Sequence, residues 1–406
     1  MTNNWNQIKL DKLFTKINDR NKILNDNVLT ISAVKGLVNQ ESYFNKRVAS
    51  NNLSNYYLLK KGDFAYNRSY SQGYPIGVVK LLEQYNAGVV SPIYICFRAK
   101  DQSIIDVKFY SYLFESGILN NILRTLSHEG ARNHGLLNIN TATFFNIEVP
   151  FPPLKVQNKV SDILSSLDNA IQKADQIAFK TEMLKSGLMN ELLRRGLRHK
   201  KLKNSKLGEI PDDWNIHRID KIAKISTGIT PSRSNKDYYI GNIPWIKSNQ
   251  VNFSEILKSD ESVSDLAVQQ CRMKLIKPGA ILIAMYGQGV TRGRCAVLKV
   301  EATTNQAIAS IEVNAEVNNL FLYYFLQSKY EYLRSLGHGG NQLNLNTQII
   351  GSIEIPIPSY QEQQKIVEVL FDVDKKLDAD KKEVEYYRKL KMGILQDIFN
   401  QKVQIN

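Results

Sequence analysis

Two stretches of the chain repeat apolar residues at intervals of three and four. The first series is Val156, Val160, Ile163, Leu167, Ile171, Ala174, Ile177, Leu184, Leu188 and Leu192. The second is Ile366, Val369, Val373, Leu377, Val384, Tyr387, Ile394 and Ile398. This period predicts two long amphipathic helices, each beginning after a proline-bearing extended segment, Pro152-Pro153 in one case and Pro356/Pro358 in the other. At roughly 1.5 Å per residue each is on the order of 55 Å long. One such stripe cannot bury itself, and two of equal length predict an antiparallel coiled-coil pair. Packing of each helix on its own domain, or of both in a larger bundle, is the alternative. Between the helices the pattern changes. Val28 to Ile31, Ile76 to Val79, Ile93 to Phe97, Ala280 to Tyr286, Cys295 to Val300 and Ile308 to Val313 are short, β-branched or aromatic runs bounded by turn residues, and predict strands. Val107 to Arg124 and Val317 to Arg334 each predict one amphipathic helix.

The two halves of the pattern are copies. Residues 137–187 match 343–393 at a constant offset of 206, with 15 identities in 51 positions, where chance gives about three. Gln157/Gln363, Asp168/Asp374 and Lys185/Lys391 are among the identities. The starts agree as well, Trp5 to Leu13 resembling Trp214 to Ile222. The predicted architecture is therefore α+β and duplicated. It has a β-rich domain over 1–152, a helix over 153–195, a basic linker over 196–208, a second β-rich domain over 209–357 and a second helix over 358–400.

Of 406 residues, 43% are hydrophobic, enough for real cores. The formal charge is +14. Residues 1–150 hold +6 and 151–207 hold +7, while 208–357 hold +1 and 358–406 are neutral. The excess peaks in Arg194 to Lys206, with seven cations and no acid. That segment reads either as a solvated tether or as a phosphate contact, and the charge points to a polyanion attracted mainly by the first half. Cys96, Cys271 and Cys295 are too few and too scattered for a disulfide framework or a cysteine-rich zinc site. Met1 to Leu10 carries no apolar signal segment, and no apolar run approaches the roughly 20 residues of a membrane span. The expectation is a cytoplasmic protein without a membrane partner.

Catalytic patterns are missing. Gly287-Gln288-Gly289-Val290-Thr291-Arg292-Gly293 suggests a nucleotide loop, but its spacing is wrong and a strand, not a helix, is predicted after it. The sequence has no GxxxxGK[ST] phosphate loop and no GxSxG elbow. Asp374-Lys375-Lys376 and Asp380-Lys381-Lys382 fit a nuclease D-x-K formally but fall within the predicted helix. His128, His134, His199, His217 and His338 share no metal-ligand spacing. No catalytic residue, bound metal or cofactor is expected on the chain.

Three loops instead recur in both halves with cationic, amide and aromatic content. One offers Arg68, Tyr70, Gln72 and Tyr74, matched by Tyr286, Gln288, Arg292 and Arg294. The next offers Arg132 and His134, matched by His338, Asn341 and Gln342. The last offers Lys35, matched by Lys247 and Asn249. Arg forks onto guanine and Gln or Asn onto adenine in a major groove, so the set suits double-stranded DNA. For the helices, Val160, Ile163, Leu167, Ile171, Leu184, Ile366, Val373, Leu377, Val384 and Ile394 are the candidate pairing and docking residues. A coiled-coil scaffold that binds only acidic protein partners, or an unrecognised nuclease, are the rival readings.

At these residues the chain resembles the specificity subunit of type I restriction–modification systems. Leu207-Gly208-Glu209-Ile210-Pro211-Asp212-Asp213-Trp214 resembles that family's entry to a target recognition domain. Thr227-Gly228-Ile229-Thr230-Pro231-Ser232 and Tyr239-Ile240-Gly241-Asn242-Ile243-Pro244-Trp245-Ile246 resemble its next signatures. Ile353 to Pro358 followed by Gln361 to Ile366 resembles its conserved helical region. The first half keeps Trp5, Ile147 to Pro150 and Gln157 to Val160 but lacks the Thr-Pro-Ser and Pro-Trp-Ile stretches. The resemblance implies a non-catalytic subunit that serves DNA methylation and phage defence. It implies one recognition domain per half of a bipartite target, and two methyltransferase subunits docked on the helices. Two motor–nuclease restriction subunits complete the implied complex, with S-adenosylmethionine, ATP and Mg on the partners.

Overall fold

The computed structural model describes residues 5–69, 74, 76–128, 139–287, 289–336, 344–403 and 405. The chain forms two compact units, one of Met1–Asp175 with Lys382–Asn406 and one of Gln176–Lys381. Two α-helices, Leu154–Arg195 and Tyr360–Phe399, each contribute one half to each unit.

In the first unit a four-stranded antiparallel sheet runs in the order Phe14–Lys16, Ile95–Ala99, Phe64–Asn67, Val78–Leu81. Two ribbons accompany it, Leu29–Ser32 with Gly36–Asn39 and Tyr57–Lys60 with Ala87–Val90. Asn6–Lys9 pairs antiparallel with Glu148–Phe151, so the unit's first strand is stitched to the strand that leads into the long helix. At the core Phe64 stacks on Phe97 and Phe14 meets both edge-on, with ring centroids 5.1–5.7 Å apart.

The second unit repeats the stitch, with Asn215–Arg218 paired to Glu354–Ile357. Its main sheet has five strands in the order Ala223–Thr227, Ile308–Val313, Ile281–Ala284, Cys295–Leu298, Glu255–Ile256, and only the last joins in parallel. Ile281–Ala284 and Cys295–Leu298 are buried on both faces, which accounts for their unbroken apolar sequence. Trp214 and Trp245 are fully buried here.

One repeated device ties each domain to its helix. Gln157, fully buried, donates through Nε2 to the Pro152 and Ile104 carbonyls at 2.8 and 3.1 Å and accepts from the Asp106 N–H at 2.9 Å. Gln363 makes the same three bonds, to the Pro358 and Glu316 carbonyls and from the Asn318 N–H, at 3.0, 3.1 and 2.7 Å. An amide that can donate twice and accept once is the side chain this job requires.

The helix pairing is antiparallel in both units. In the first, Arg388 meets Asp175 at 2.8 Å and Lys391 meets Asp168 at 2.7 Å. In the second, the Thr181 hydroxyl donates to Asp380 at 2.7 Å and Lys185 meets Asp374 at 2.6 Å. In each unit, rising numbers on one helix meet falling numbers on the other. Leu377 and Val384 are buried, Val160 and Ile366 are buried in the cores of the first and second domains, and Leu167 and Ile394 are half-buried against the first domain's core. Ile171 and Val373 are half-buried. Ile163 and Leu184 lie off the helix contact, being 38% and 55% exposed. A straight helix drifts about 20° per heptad relative to a seven-residue repeat, so a stripe sustained over this length leaves the contact face. Polar Thr181 and Asp380 take buried positions instead.

Two further corrections concern local breaks. The helix expected over Val107 to Arg124 is two helices, Val107–Glu115 and Asn120–His128, separated at Gly117, whose φ of +77° ends a helix. The helix expected near Val317 to Arg334 is likewise two, Asn319–Ser328 and Tyr330–Ser335, parted at Lys329. The basic segment between the halves is no loose tether. Leu202–Ser205 and Gly208–Pro211 form a hairpin belonging to the second unit, with Ile210 fully buried. No helix among the described residues is long and apolar enough to cross a membrane.

Candidate nucleic-acid interface

In each unit an arginine of a duplicated loop bonds a backbone carbonyl far along the chain. Arg68 leaves the end of strand Phe64–Asn67 and donates to the Ile139 carbonyl at 2.9 Å and the Ile93 carbonyl at 3.2 Å. Ile139 directly follows the segment that contains Arg132 and His134. In the second unit Arg292 donates to the Arg334 carbonyl at 3.1 Å, three residues before the segment that contains His338, Asn341 and Gln342. Arg334 returns a bond to the Gly289 carbonyl at 3.0 Å, and the Tyr330 hydroxyl bonds the Val290 carbonyl. Glycine serves geometry in this loop. Gly293 has a φ of +84°, and a Cβ there would stand 3.2 Å from Leu333. The strand Cys295–Leu298 follows, so the loop does not open a nucleotide-binding helix.

Several other candidates face solvent. Tyr74 and Tyr286 are 37% and 38% exposed, and Lys35 and Asn249 are also exposed. Lys35 sits in the turn between strands Leu29–Ser32 and Gly36–Asn39, where the Ser32 hydroxyl accepts from its N–H at 3.1 Å. Its ammonium lies 6.0 Å from the Tyr43 ring. The Arg294 guanidinium lies 6.0 Å from the Phe253 ring. Tyr70, Gln72, Arg132, His134, Gln288, His338, Asn341 and Gln342 lie outside the described residues.

Lys247 is held in a cluster. Its ammonium and the Arg233 guanidinium bind the two oxygens of Glu261, the latter at 2.7 Å. Arg233 lies over the Tyr239 and Trp245 rings at 4.2 and 5.1 Å. Lys247 first and Arg233 second hold the Glu261 carboxyl below its ordinary 4.5. The signature stretches Thr227 to Ser232 and Tyr239 to Ile246 meet here. Trp245 Nε1 donates to the Ile229 carbonyl at 3.1 Å, and the Tyr239 hydroxyl donates to the Pro231 carbonyl at 2.6 Å. Gly228 packs so closely that a Cβ would fall 2.0 Å from the Thr304 carbonyl oxygen. Arg233 and Glu261 belong to no duplicated loop, and only the proximity of Arg233 to the Thr-Pro-Ser stretch marks it in the sequence.

The placement of residues 176–207 in the second unit changes the charge distribution. Counted by unit, Gln176–Lys381 holds 28 Lys/Arg against 22 Asp/Glu, net +6, and the remainder holds 25 against 17, net +8. The lopsided attraction expected from the chain halves is replaced by two similarly cationic units. Arg195 pairs with Glu209 at 2.9 Å and Lys206 with Glu354 at 3.4 Å, while Arg198, Lys200 and Lys201 are exposed. At the start of the linker Glu362 accepts from the Leu197 N–H and from Trp214 Nε1, at 2.9 and 3.2 Å, and lies 2.7 Å from His199 Nε2. Among the described residues no group of three His, Cys, Asp or Glu side chains is arranged to hold a metal ion.

Two β-rich domains, each closed by the same strand stitch and each packed on its part of two long helices, define the class: a duplicated α+β chain. The sequence matches the type I restriction modification DNA specificity domain over residues 2–178 and again over 211–386, and the chain belongs to that family. It is 26% identical over 329 residues to the type I restriction enzyme MjaVIII specificity subunit of Methanocaldococcus jannaschii, covering 78% of this chain and 75% of that one. The putative MjaX specificity subunit of the same organism is 24% identical over 353 residues, covering 86% and 80%. Its fold matches the S subunit of a type I restriction-modification system from M. genitalium with a TM-score of 0.56 at 16% identity, covering 100% of this chain and 98% of that one. A chain solved in work on complex assembly of the type I R-M system matches with a TM-score of 0.62 at 16% identity, covering 97% of both.

Proposed function

We propose that this chain is the DNA-reading, non-catalytic subunit of a type I restriction–modification complex, with each unit reading one half of a bipartite target. The observation that carries this reading is that in each unit an arginine of one duplicated loop is bonded to backbone next to, or three residues from, a second duplicated segment in the sequence. Arg68 holds the edge of the 129–138 segment, as Arg292 holds the edge of the 337–343 segment. Each unit carries a net positive charge suited to phosphate, and its sequence repeats loops of cations, amides and aromatics. Of the described candidates, Lys35, Tyr74, Asn249, Tyr286 and Arg294 are the ones we propose for base or phosphate contact. The exposed helix residues Ile163 and Leu184 are offered to methyltransferase subunits, of which we propose two, joined by two restriction subunits. S-adenosylmethionine, ATP and Mg belong to those partners.

The test is to map methylated sites made by the complex carrying Arg294→Ala or Lys35→Ala. Each substitution should relax base choice in one half of the motif, and a different half in each case. Relaxation of both halves by one substitution would overturn the assignment of one unit to one half-site. Metal-dependent cleavage of DNA by the isolated chain would overturn the non-catalytic role.

A further inference from the structure

The same ionic clamp occurs once in each unit, and it joins three elements each time. In the first unit Lys391, on the second long helix, reaches Asp168 on the first long helix at 2.7 Å and Glu115 on the domain helix Val107–Glu115 at 2.9 Å. Tyr112 on that domain helix donates to the other oxygen of Asp168 at 2.7 Å, and its ring lies 5.1 Å from the Lys391 ammonium. In the second unit Lys185, on the first long helix, reaches Asp374 on the second at 2.6 Å. Tyr324 on the domain helix Asn319–Ser328 donates to the other Asp374 oxygen at 2.9 Å. Lys185 also donates to Gln327 Oε1, at 3.3 Å.

The two clamps differ at one position. Tyr112 corresponds to Tyr324, so Glu115 corresponds to Gln327, and the second lysine has one carboxylate fewer. Burial pulls Lys391 down, but Glu115 and Asp168 outweigh it and hold the ammonium above its ordinary range. An ammonium with two charged acceptors is held more firmly than one with a carboxylate and a neutral amide. Both lysines are largely buried, with 9% and 12% of their side-chain surface exposed. Losing either removes the ion pair between the two long helices and leaves the tyrosine bond as the clamp's tie from domain helix to aspartate.

We infer that Lys391 and Lys185 are positioning residues that fix the angle at which each recognition domain leaves the helix pair, and that the second clamp is the weaker of the two. The inference rests on the bipartite reading above. An angle set at the helix pair becomes a distance at the DNA, so the clamps would decide which spacer lengths between half-sites are accepted. The residues need not touch DNA to do this.

The experiment uses the complex reconstituted with its methyltransferase subunits. The probe is a duplex library in which the two mapped half-sites are separated by the native spacer, or by one or two base pairs more or fewer. Lys185→Met should lower the preference for the native spacer about tenfold, in line with the interaction energy of networked residues. Base choice within each half-site should stay unchanged. Gln327→Glu, which supplies the missing carboxylate, should sharpen the spacer preference. The exchange Lys185→Asp with Asp374→Lys should restore it, and this arm separates positioning from simple misfolding. An unchanged spacer preference in Lys185→Met would overturn the inference, as would loss of base choice within a half-site or failure of the exchange to restore the preference. A wild-type complex whose methylated motif has no second half would instead overturn the bipartite reading, and the inference with it.

Discussion

Arg68 and the Ile139 carbonyl are joined by a 2.9 Å bond that ties the end of a sheet strand to the chain 71 residues later. A guanidinium that donates to two carbonyls holds the backbone between them. Arg68→Ala should therefore lower stability by about 1–2 kcal/mol. Arg68→Lys should recover only part of this, because a point ammonium cannot fork. The denaturation midpoint measures both. A wild-type midpoint in Arg68→Ala would show that the bond carries no stability.

Gln363 is fully buried with three bonds to backbone groups. Gln363→Ala should cost about 2–4 kcal/mol, because it leaves buried carbonyls and an N–H without partners. Gln157→Ala should behave alike in the first unit. The readout is urea unfolding of each variant. A cost below about 1 kcal/mol at both positions would mean that water takes over the bonds.

How much of the molecule is legible in the sequence differs with sequence range. The long helices, the duplication and most of the strands are legible because periodicity and turn residues act locally. The helix breaks are hidden because apolar spacing continues across Gly117 and Lys329. The clamps are visible only as the identities Asp168/Asp374 and Lys185/Lys391, since partners more than 180 residues apart give no local signal. Arg68 can be recognised as a loop cation, yet its bonding depends on carbonyls that only the fold places beside it. The cations of the 194–206 segment suggest a tether because their charge hides the alternation that makes Leu202–Ser205 a hairpin strand.

Glu261 gives a pH prediction. Lys247 and Arg233 depress its pKa below the ordinary 4.5. A depressed carboxyl contributes stability above its unfolded value and loses it as pH falls through the folded one, so the loss occurs below pH 4.5. Glu261→Gln should flatten the melting temperature against pH in that window and leave the slope at neutral pH unchanged. An unaltered acid limb in the variant would remove Glu261 from the account.

The exposed cations Arg198, Lys200 and Lys201, between the first long helix and the hairpin, test the basic linker's part in DNA binding. Replacing all three with Ala should reduce the slope of log affinity against log salt by about 0.9 for each phosphate that is no longer neutralised. The base preference should not change. A slope equal to wild type would mean that these cations touch no phosphate.

Because residues 176–207 belong to the second unit, the surplus of positive charge is split at +8 and +6. Long-range attraction to a polyanion is then nearly even between the two units. On the reading proposed above, charge favours neither half-site for the first encounter, and the order in which they fill is left to the bases themselves.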